Sequence, residues 1–262
     1  MSHATECEGA TMNDVEALRE RVAQACRIMG KLELAKAATG HASARLPGTD
    51  RIFIRARGPG ELGVRFTTKD QIIEVDLDGK LAEGNANGLD VPKEVFIHTA
   101  VYRARAEVFG VVHGHPLSAV LFTICNKPLQ PLYGAYDPPS AKLAIEGVPL
   151  YPHSFLCDSP ERGQDLAATL GQSSCCMMRG HGITTCGPNV EEATLTAIHL
   201  NDLADINYKA ALLGGAQPIP EDERHWIAES ETFAPSVTNG ALPQGRAAVL
   251  WRYYCSLCKG ME

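Results

Sequence analysis

The sequence predicts a single α/β domain built in layers, and three observations support this fold class. Amphipathic helical stretches interleave with short apolar runs of strand length. No repeat, low-complexity block or linker divides the 262 residues, a length that suffices for one buried core. The strict strand–helix alternation of a doubly wound fold is missing, and so are the Gly-rich phosphate-binding fingerprints. We therefore expect one domain over residues 14–262, ending in a helical segment, after a flexible N-terminus at residues 1–13.

The N-terminal half begins with the strongest helical pattern. Val15, Leu18 and Val22 recur at three- and four-residue steps, and Asn13 with Glu16 resembles a capping pair. In chain order, the predicted elements of this half are a helix over 14–36, strands over 51–55 and 72–76, a helix that begins at Pro92, and a buried strand over 108–113.

Capping residues and glycines delimit the elements of the second half. Asn189 with Glu192 resembles the start of a long helix, and Gly214-Gly215 would end it. In chain order, the predicted elements are a helix over 159–171, strands over 175–178 and 183–185, a helix over 189–213, a loop over 218–223 and an amphipathic segment around Trp251.

Charge and composition exclude several function classes. The net charge is −7 and the pI is about 5.7, so an electrostatic footprint for nucleic acid or anionic lipid is missing. No run of about 18 apolar residues occurs, so we expect no membrane span. The small, polar N-terminus is unlike a signal peptide, and nine cysteines without framework spacing indicate free thiols. We expect a cytoplasmic protein that acts on a small molecule.

Two histidines, His113 and His115, follow an apolar strand and carry the strongest chemical signal. Side chains alternate across a strand, so both imidazoles project to one side and can converge on one metal ion. A lone His-x-His is more often a pair of ordinary, partly buried histidines. His181 is the candidate third ligand, because the flanking Gly180 and Gly182 let a turn approach a site closely. Three histidines with an open position are typical of a catalytic metal site.

Glu94 is the candidate carboxylate of this site. It lies on the helix predicted before the strand that carries His113. It could act as a fourth ligand or as a general acid/base beside the metal. Because its neighbours Val95 and Phe96 are apolar, we expect the pKa of this carboxyl group to be raised.

Together, these motifs resemble the class II aldolase/adducin superfamily over roughly residues 15–213. The matching residues are Glu94, His98, Tyr102, Arg105, His113-Gly-His115-Pro116 and Arg179-Gly-His181-Gly182. The resemblance implies a three-layer α/β/α sandwich around a mixed, largely antiparallel sheet, the class II aldolase-like fold, assembled as a homotetramer with sites between subunits. It also implies that His113, His115 and His181 hold a divalent metal ion and that Glu94 is the catalytic acid/base.

Two departures separate the chain from the sugar-phosphate members of this superfamily. Those members carry asparagine where this chain has His41, and two serines that bind phosphate where this chain has Pro92 and Lys93. Proline has no N–H to give to a phosphate oxygen, so the phosphate pocket looks dismantled. The resemblance implies a loop over 39–45, and with His41, Ser43 and Arg45 this loop instead looks like that of the decarboxylases acting on dihydroxyphthalate-type aromatic acids.

The resemblance also implies the chemistry. A divalent ion that binds a carboxylate and its ortho hydroxyl stabilises the negative charge left as CO₂ departs. Glu94 is the first choice for the acid that protonates the ring carbon and His41 the second, while Tyr133 is a predicted catalytic residue that reaches a neighbouring subunit's site. His98 and Tyr102, four apart on one helical face, are interpreted as packing residues. The predicted substrate-binding residues are His41, Ser43, Arg45 and Lys93.

The leading hypothesis is a divalent-metal-dependent, non-oxidative decarboxylase of a hydroxylated aromatic acid such as 3,4-dihydroxyphthalate. The alternative is a class II aldolase or epimerase acting on a small hydroxy-carbonyl or sugar-phosphate substrate. A third hypothesis, an adducin-like protein that has lost catalysis and only binds partners, is disfavoured by the intact histidine trio. The expected cofactor is zinc, or else manganese, cobalt or iron, since nitrogen-rich sites accept all four.

Overall fold

A seven-stranded sheet crosses the centre of the computed structural model, which describes residues 11–82, 88–134, 136–230 and 239–260. The strands are β1 (His41–Arg45), β2 (Ile52–Arg55), β3 (Ile72–Val75), β4 (Gly110–Gly114), β5 (Leu150–Tyr151), β6 (Cys175–Met178) and β7 (Gly182–Gly187). The helices are α1 (Met12–Lys31), α2 (Val95–Ala104), α3 (Leu117–Ile124), α4 (Pro138–Glu146), α5 (Pro160–Leu170), α6 (Val190–Leu212), α7 (Glu221–Glu229) and α8 (Gly245–Ser256). Two short 3₁₀ turns span Val64–Phe66 and Lys69–Gln71.

The strand order is β3-β2-β1-β4-β7-β6-β5, and every neighbouring pair is antiparallel except β5 with β6. The pairing of the central strands β1, β4 and β7 determines which side chains lie next to one another at the candidate site. His41 in β1 pairs with His113 in β4, which pairs in turn with Thr184 in β7. Side chains of directly paired residues project to the same face of a sheet. The mixed, largely antiparallel sheet is confirmed.

Helices cover both faces of the sheet, so the predicted three-layer α/β/α sandwich is confirmed. One apolar cluster packs α1 and α6 against alternate sheet residues that include Ala42 and Val112. The second packs α2 and α5 against the residues between them, such as Ile54 and Val111. Because Val111 and His113 share one face of β4, His113 faces the α2 layer.

Helix α1 begins earlier than predicted. Its N-cap is Thr11 rather than Asn13, and Thr11 and Asp14 exchange side-chain to main-chain hydrogen bonds in a capping box. The last residues of the stretch predicted to be flexible therefore belong to the cap and first turn. Residues 1–10 of that stretch lie outside the described residues.

Helix α1 also ends earlier, at Lys31 instead of Lys36. Glu33 adopts a left-handed φ of 57°, which turns the chain out of the helix. The carbonyl oxygen of Leu34 then accepts a hydrogen bond of 2.7 Å from the amide of His115. This turn therefore anchors the end of β4, where the predicted metal ligands lie.

The segment 39–45 was predicted to be a loop, and this prediction is wrong because it contains strand β1. All five β1 residues are buried between β2 and β4. Ala42 and Ala44 face the α1 layer, so His41 and Ser43 face the α2 layer. The polar residues hid the strand, because an apolar alternation is what marks a half-buried strand in a sequence.

Three further differences concern helices. The helix expected to begin at Pro92 begins at Val95. The predicted loop over 218–223 contains the start of α7, whose first turn carries three acidic residues that favour a helix N-terminus. Helices α3 and α4 were not predicted. No helix among the described residues combines the length and the apolar character that crossing a membrane requires.

Candidate metal centre

Four side chains converge at the end of the sheet where β4 and β6 finish. Glu94 is the N-cap residue of α2, His113 lies in β4, His115 directly follows this strand, and His181 lies in the turn between β6 and β7. One donor atom from each of the four lies within 4.8 Å of the others. The structure thus brings together the three histidines and the carboxylate that the sequence predicts for one site.

The distances between donor atoms suit a metal ion. His115 Nε2 lies 3.0 Å from His113 Nε2. Glu94 Oε2 lies 3.5 Å from His113 Nε2, and Glu94 Oε1 lies 3.4 Å from Nε2 of His181. Ligand atoms bound about 2.0–2.1 Å from a tetrahedral ion are about 3.3 Å apart, which falls within this range.

The hydrogen bonds behind the rings also fit a metal. His113 Nδ1 lies 2.9 Å from the carbonyl oxygen of Ile183, so this nitrogen carries a proton, and in the neutral ring Nε2 has the lone pair that binding a metal requires. His181 Nδ1 is buried and has no partner among the described residues, so the one polar contact of this ring within them is that of Nε2 with Glu94 inside the cluster. Three imidazoles and a carboxylate are ligands that zinc, manganese, cobalt and iron accept. The residues present therefore fit a divalent metal ion.

Two glycines shape the turn that carries His181. Gly180 has a left-handed φ of 62°. A Cβ atom on Gly182 would lie 2.1 Å from the carbonyl oxygen of Gly114 and 2.8 Å from Cδ2 of the His115 ring. Only glycine therefore lets the start of β7 approach the end of β4 this closely.

Replacing Gly182 with alanine is expected to lower both stability and metal content. The new methyl group meets main chain rather than a flexible side-chain end, and overpacking of this kind costs about 1–3 kcal/mol. Thermal unfolding and metal analysis of the purified variant measure the two effects. Gly48→Ala is the control for metal content: alanine is strained at the φ of +74° there and lowers stability, but the space around it is open, so metal content should be unchanged. A Gly182→Ala protein with wild-type stability and metal content would contradict this packing argument.

The pKa of Glu94 shifts in the direction opposite to the sequence prediction. Burial alone raises it, but the contacts with His113 and His181 outweigh burial and hold the pKa below its ordinary value. The main-chain amide of Cys157 also donates to Glu94 Oε1 at 3.2 Å. The prediction of a raised pKa is wrong because it was based on the apolar neighbours in sequence, whereas the fold brings two imidazoles to this carboxylate.

His41 lies beside the cluster, one strand away from His113. The centroids of these two rings are 5.2 Å apart. Burial, followed by the neighbouring His98 and His113, lowers the pKa of His41 well below its ordinary value. The imidazole therefore reaches the site as a neutral group, and the sequence alternative of a protonated His41 is not supported.

A chain of buried hydrogen bonds extends from His41 into the protein. His41 Nδ1 lies 2.6 Å from His98 Nε2, His98 Nδ1 lies 2.6 Å from Ser43 Oγ, and Ser43 Oγ lies 2.8 Å from the Tyr102 hydroxyl. His98 and Tyr102 are buried, as packing residues are, but their polar atoms are also connected to the site. The signal for this was present: Glu94, His98 and Tyr102 recur every four residues on one helical face.

Two of the predicted substrate-binding residues lie away from the cluster. Ser43 is fully buried and bound to His98 and Tyr102, which does not support direct contact with a substrate. Arg45 lies four residues along β1 from His41, about 13 Å away at the rise of a strand. Its guanidinium donates to main-chain carbonyl oxygens, among them those of Tyr102 at 3.2 Å and Val108 at 2.6 Å. The structure therefore gives Arg45 a structural role.

The remaining two predicted site residues lie at the surface or in another cluster. Lys93 is exposed and directly precedes Glu94 in the sequence. Tyr133 is half-buried and packs with residues of α4 and α7, and its ring lies 5.7 Å from that of Tyr136. Its contacts within the described chain do not include the metal cluster, so Tyr133 remains a prediction about a neighbouring subunit.

Comparison with known proteins gives a family and relatives for this chain. The family described as "Class II Aldolase and Adducin N-terminal domain" matches residues 20–208. The chain is 38% identical to a 3,4-dihydroxyphthalate decarboxylase of Terrabacter sp. (strain DBF63), over 90% of this chain and 94% of that protein. A protein of the same name from Arthrobacter keyseri is 36% identical, over 78% of this chain and 84% of its own length.

A solved structure shows the same fold. The crystal structure of an aldolase II superfamily protein from Pseudomonas syringae superposes with a TM-score of 0.77 at 21% identity, over 96% of this chain and 94% of that chain. The match of the family over most of the sequence agrees with the sheet order and the helix layers described above. The chain therefore belongs to the class II aldolase and adducin family.

Proposed function

We propose that this chain is a divalent-metal-dependent lyase, a non-oxidative decarboxylase of a hydroxylated aromatic acid such as 3,4-dihydroxyphthalate. The observation that carries the proposal is the pair of relatives at 36–38% identity that share the name 3,4-dihydroxyphthalate decarboxylase and align over most of this chain. The Glu94 and histidine cluster supports it, because a family member without catalysis has no need of four converging donor groups.

The proposed ligands are His113, His115 and His181, with Glu94 as a fourth ligand or as the acid/base. When bound there, a divalent ion would draw electron density from the substrate carboxylate and its ortho hydroxyl and so favour the loss of CO₂. Zinc is the first candidate for the ion, and manganese, cobalt and iron are the others. The protein's own side chains would then orient the aromatic acid and transfer protons.

Glu94 is the proposed proton carrier. As a carboxylate it can accept the proton of the substrate hydroxyl. The bond between the ring and the carboxylate then breaks, its electron pair stays on the ring carbon, CO₂ leaves, and Glu94 returns its proton to that carbon. The deprotonated substrate oxygen regains a proton from solvent, so the product of 3,4-dihydroxyphthalate is a dihydroxybenzoate. Its position as N-cap of α2, held by the amide of Cys157, keeps this carboxylate beside the imidazoles.

The substrate is proposed to enter on the side of Lys93, an exposed residue directly before Glu94 in the sequence, whose positive charge can attract an anionic acid. Pro92 and Lys93 provide no hydroxyl groups for a phosphate. We also propose a homotetramer in the cytoplasm, in which Tyr133 of one subunit approaches the site of a neighbour. These assembly and location proposals follow from the family resemblance.

A comparison of two substrate classes tests the proposal. The purified protein is expected to release CO₂ from 3,4-dihydroxyphthalate and to leave fuculose phosphate and ribulose phosphate unchanged, because its phosphate-binding residues are replaced. Liquid chromatography detects the dihydroxybenzoate product, and an aldehyde assay detects aldol cleavage. Turnover of the sugar phosphates without turnover of the aromatic acid would reject the proposal in favour of an aldolase or epimerase.

A further inference from the structure

A buried series of hydrogen bonds behind His41 joins strand β1 to helix α2, with side chains taken in turn from the two elements. His41 and Ser43 are two apart on β1 and project to one face, and His98 and Tyr102 are four apart on α2 and project to the facing side. The hydrogen bonds pass from one element to the other at each step, in the order Tyr102, Ser43, His98 and His41. Three of these side chains are almost completely buried, so bulk water does not compete for the bonds.

Tyr102, at one end of this hydrogen-bond series, determines which group donates in each bond. The Tyr102 hydroxyl contacts Ser43 Oγ at 2.8 Å and the main chain of Val111, whose amide can only donate to it, so Ser43 Oγ is its one acceptor among these partners. Burial raises the pKa of Tyr102, so this hydroxyl keeps its proton. A buried donor that makes no hydrogen bond is destabilising, so Tyr102 must donate to Ser43. The Arg45 guanidinium, 5.4 Å from the Tyr102 ring centroid and bonded to the Tyr102 carbonyl oxygen, holds the ring in this position.

The remaining directions follow one by one. Because Ser43 Oγ accepts from Tyr102, its own proton is available for His98 Nδ1, which must then be the unprotonated nitrogen. A neutral imidazole carries its one proton on the other nitrogen, so His98 Nε2 donates to His41 Nδ1. Burial lowers the pKa of His98 to about 3, which agrees with a neutral ring. His41 accepts at Nδ1 and so carries its own proton on Nε2.

We infer that Tyr102, Ser43 and His98 form a directional hydrogen-bond chain that holds His41 as the neutral tautomer protonated on Nε2, which donates a hydrogen bond to a substrate oxygen. His41 Nε2 makes no hydrogen bond with the described residues. The residue is 7% exposed and its ring centroid lies 5.2 Å from that of the candidate ligand His113, so this nitrogen is the one left for a substrate. Tyr102, Ser43 and His98 are thus positioning residues that act through His41. Only the identity of the acceptor, an oxygen of the aromatic acid, rests on the proposed function.

The tautomer itself is measurable without a substrate. NMR of the purified protein, labelled on its histidine ring nitrogens, distinguishes a protonated ring nitrogen from one with a lone pair, and a His41→Gln protein identifies the His41 signals. We expect a proton on Nε2 and a lone pair on Nδ1 in the wild type. A proton on His41 Nδ1 would overturn the inference, whatever reaction the protein catalyses.

Two variants test the chain. Tyr102→Phe removes the donor that sets the direction, and Ser43→Ala interrupts the chain one step later, so both are expected to leave His41 as a mixture of tautomers. Tyr254→Phe, on α8 at the opposite face of the sheet, is the control and should leave the His41 signals unchanged. Metal content and circular dichroism identify any variant that does not fold. A fixed Nε2 proton in both folded variants would overturn the role of the chain.

Steady-state kinetics separate a positioning role from a structural one. Losing one neutral hydrogen bond to the substrate is expected to raise KM roughly 2- to 12-fold in Tyr102→Phe, with a smaller change in kcat. An unchanged KM for the aromatic acid, with a confirmed change of tautomer, would contradict the donation to substrate. If no decarboxylation is found in the wild type, the NMR result still decides whether the chain fixes His41.

Discussion

Replacing Glu94 with glutamine is expected to lower kcat for decarboxylation by roughly 10²–10⁴-fold, the usual contribution of general acid–base catalysis. Glutamine keeps the size of the side chain and an oxygen that can accept from the Cys157 amide, but it cannot carry a proton. The variant should therefore fold and retain metal. Measuring kcat, KM and metal content together separates a proton carrier from a ligand, because loss of a ligand lowers metal content as well.

Glu229→Gln is the matched control for this variant. Glu229 forms an exposed ion pair with His225 on α7 and is not one of the candidate ligands. The same chemical change there should therefore leave kcat unchanged. A Glu94→Gln protein that releases CO₂ at the wild-type rate would show that Glu94 carries no proton in this reaction. The decarboxylation mechanism proposed above would then be wrong.

Replacing His181 with alanine is expected to remove the metal and the activity together. Disturbing residues that only support a ligand already costs about 10–100-fold in metal affinity or activity, so loss of a ligand should cost at least about 100-fold. The fold should persist, because His181 lies in a turn and its Nδ1 bonds nothing in the described structure. Metal analysis, circular dichroism and CO₂ release measure the three quantities.

His225→Ala serves as the control for this second variant. His225 is exposed on α7 and lies outside the cluster of candidate ligands. It should therefore retain full metal content. Full metal occupancy in His181→Ala would remove this histidine from the site and would leave two histidines and Glu94 as the ligand set.

The convergence of the four candidate ligands could be predicted from the sequence because the signals for it are local. His113 and His115 follow a buried strand at a spacing of two, and the glycines around His181 indicate a close approach of main chain. The structure brings these residues and Glu94 together without any change to the predicted set. Strands β4 and β6 were predictable for the same reason, since each contains a short apolar run, and β7 was predictable from the β-branched residues over 183–185 between two glycines.

Strand β1 could not be predicted because its stability depends on distant partners. A buried polar side chain costs stability unless it is hydrogen-bonded, so a local sequence with His41 and Ser43 is typical of a loop. In the fold, His98 and Tyr102 satisfy both side chains from a helix more than fifty residues away in sequence. The polar residues that obscured the strand are therefore the ones that connect it to the site.

The predictions for two charged groups, Glu94 and Arg45, were wrong or unsupported for a similar reason. The pKa of Glu94 depends on His113 and His181, which come to it only in the folded chain. Arg45 resembles an anion-binding residue in sequence, yet its donors go to main-chain carbonyl oxygens at the end of α2 and in the segment before β4. Residue type and spacing identify a candidate group, whereas its surroundings decide what the group does.

Metal removal tests the central claim most directly. The purified protein is treated with a chelator, metal is returned in steps, and the rate of CO₂ release from 3,4-dihydroxyphthalate is measured at each step. We expect the rate to vanish on chelation and to recover in proportion to bound metal, up to one ion per chain. A metal-free protein that decarboxylates at the full rate, or a metal-replete protein that forms no dihydroxybenzoate, would contradict the account.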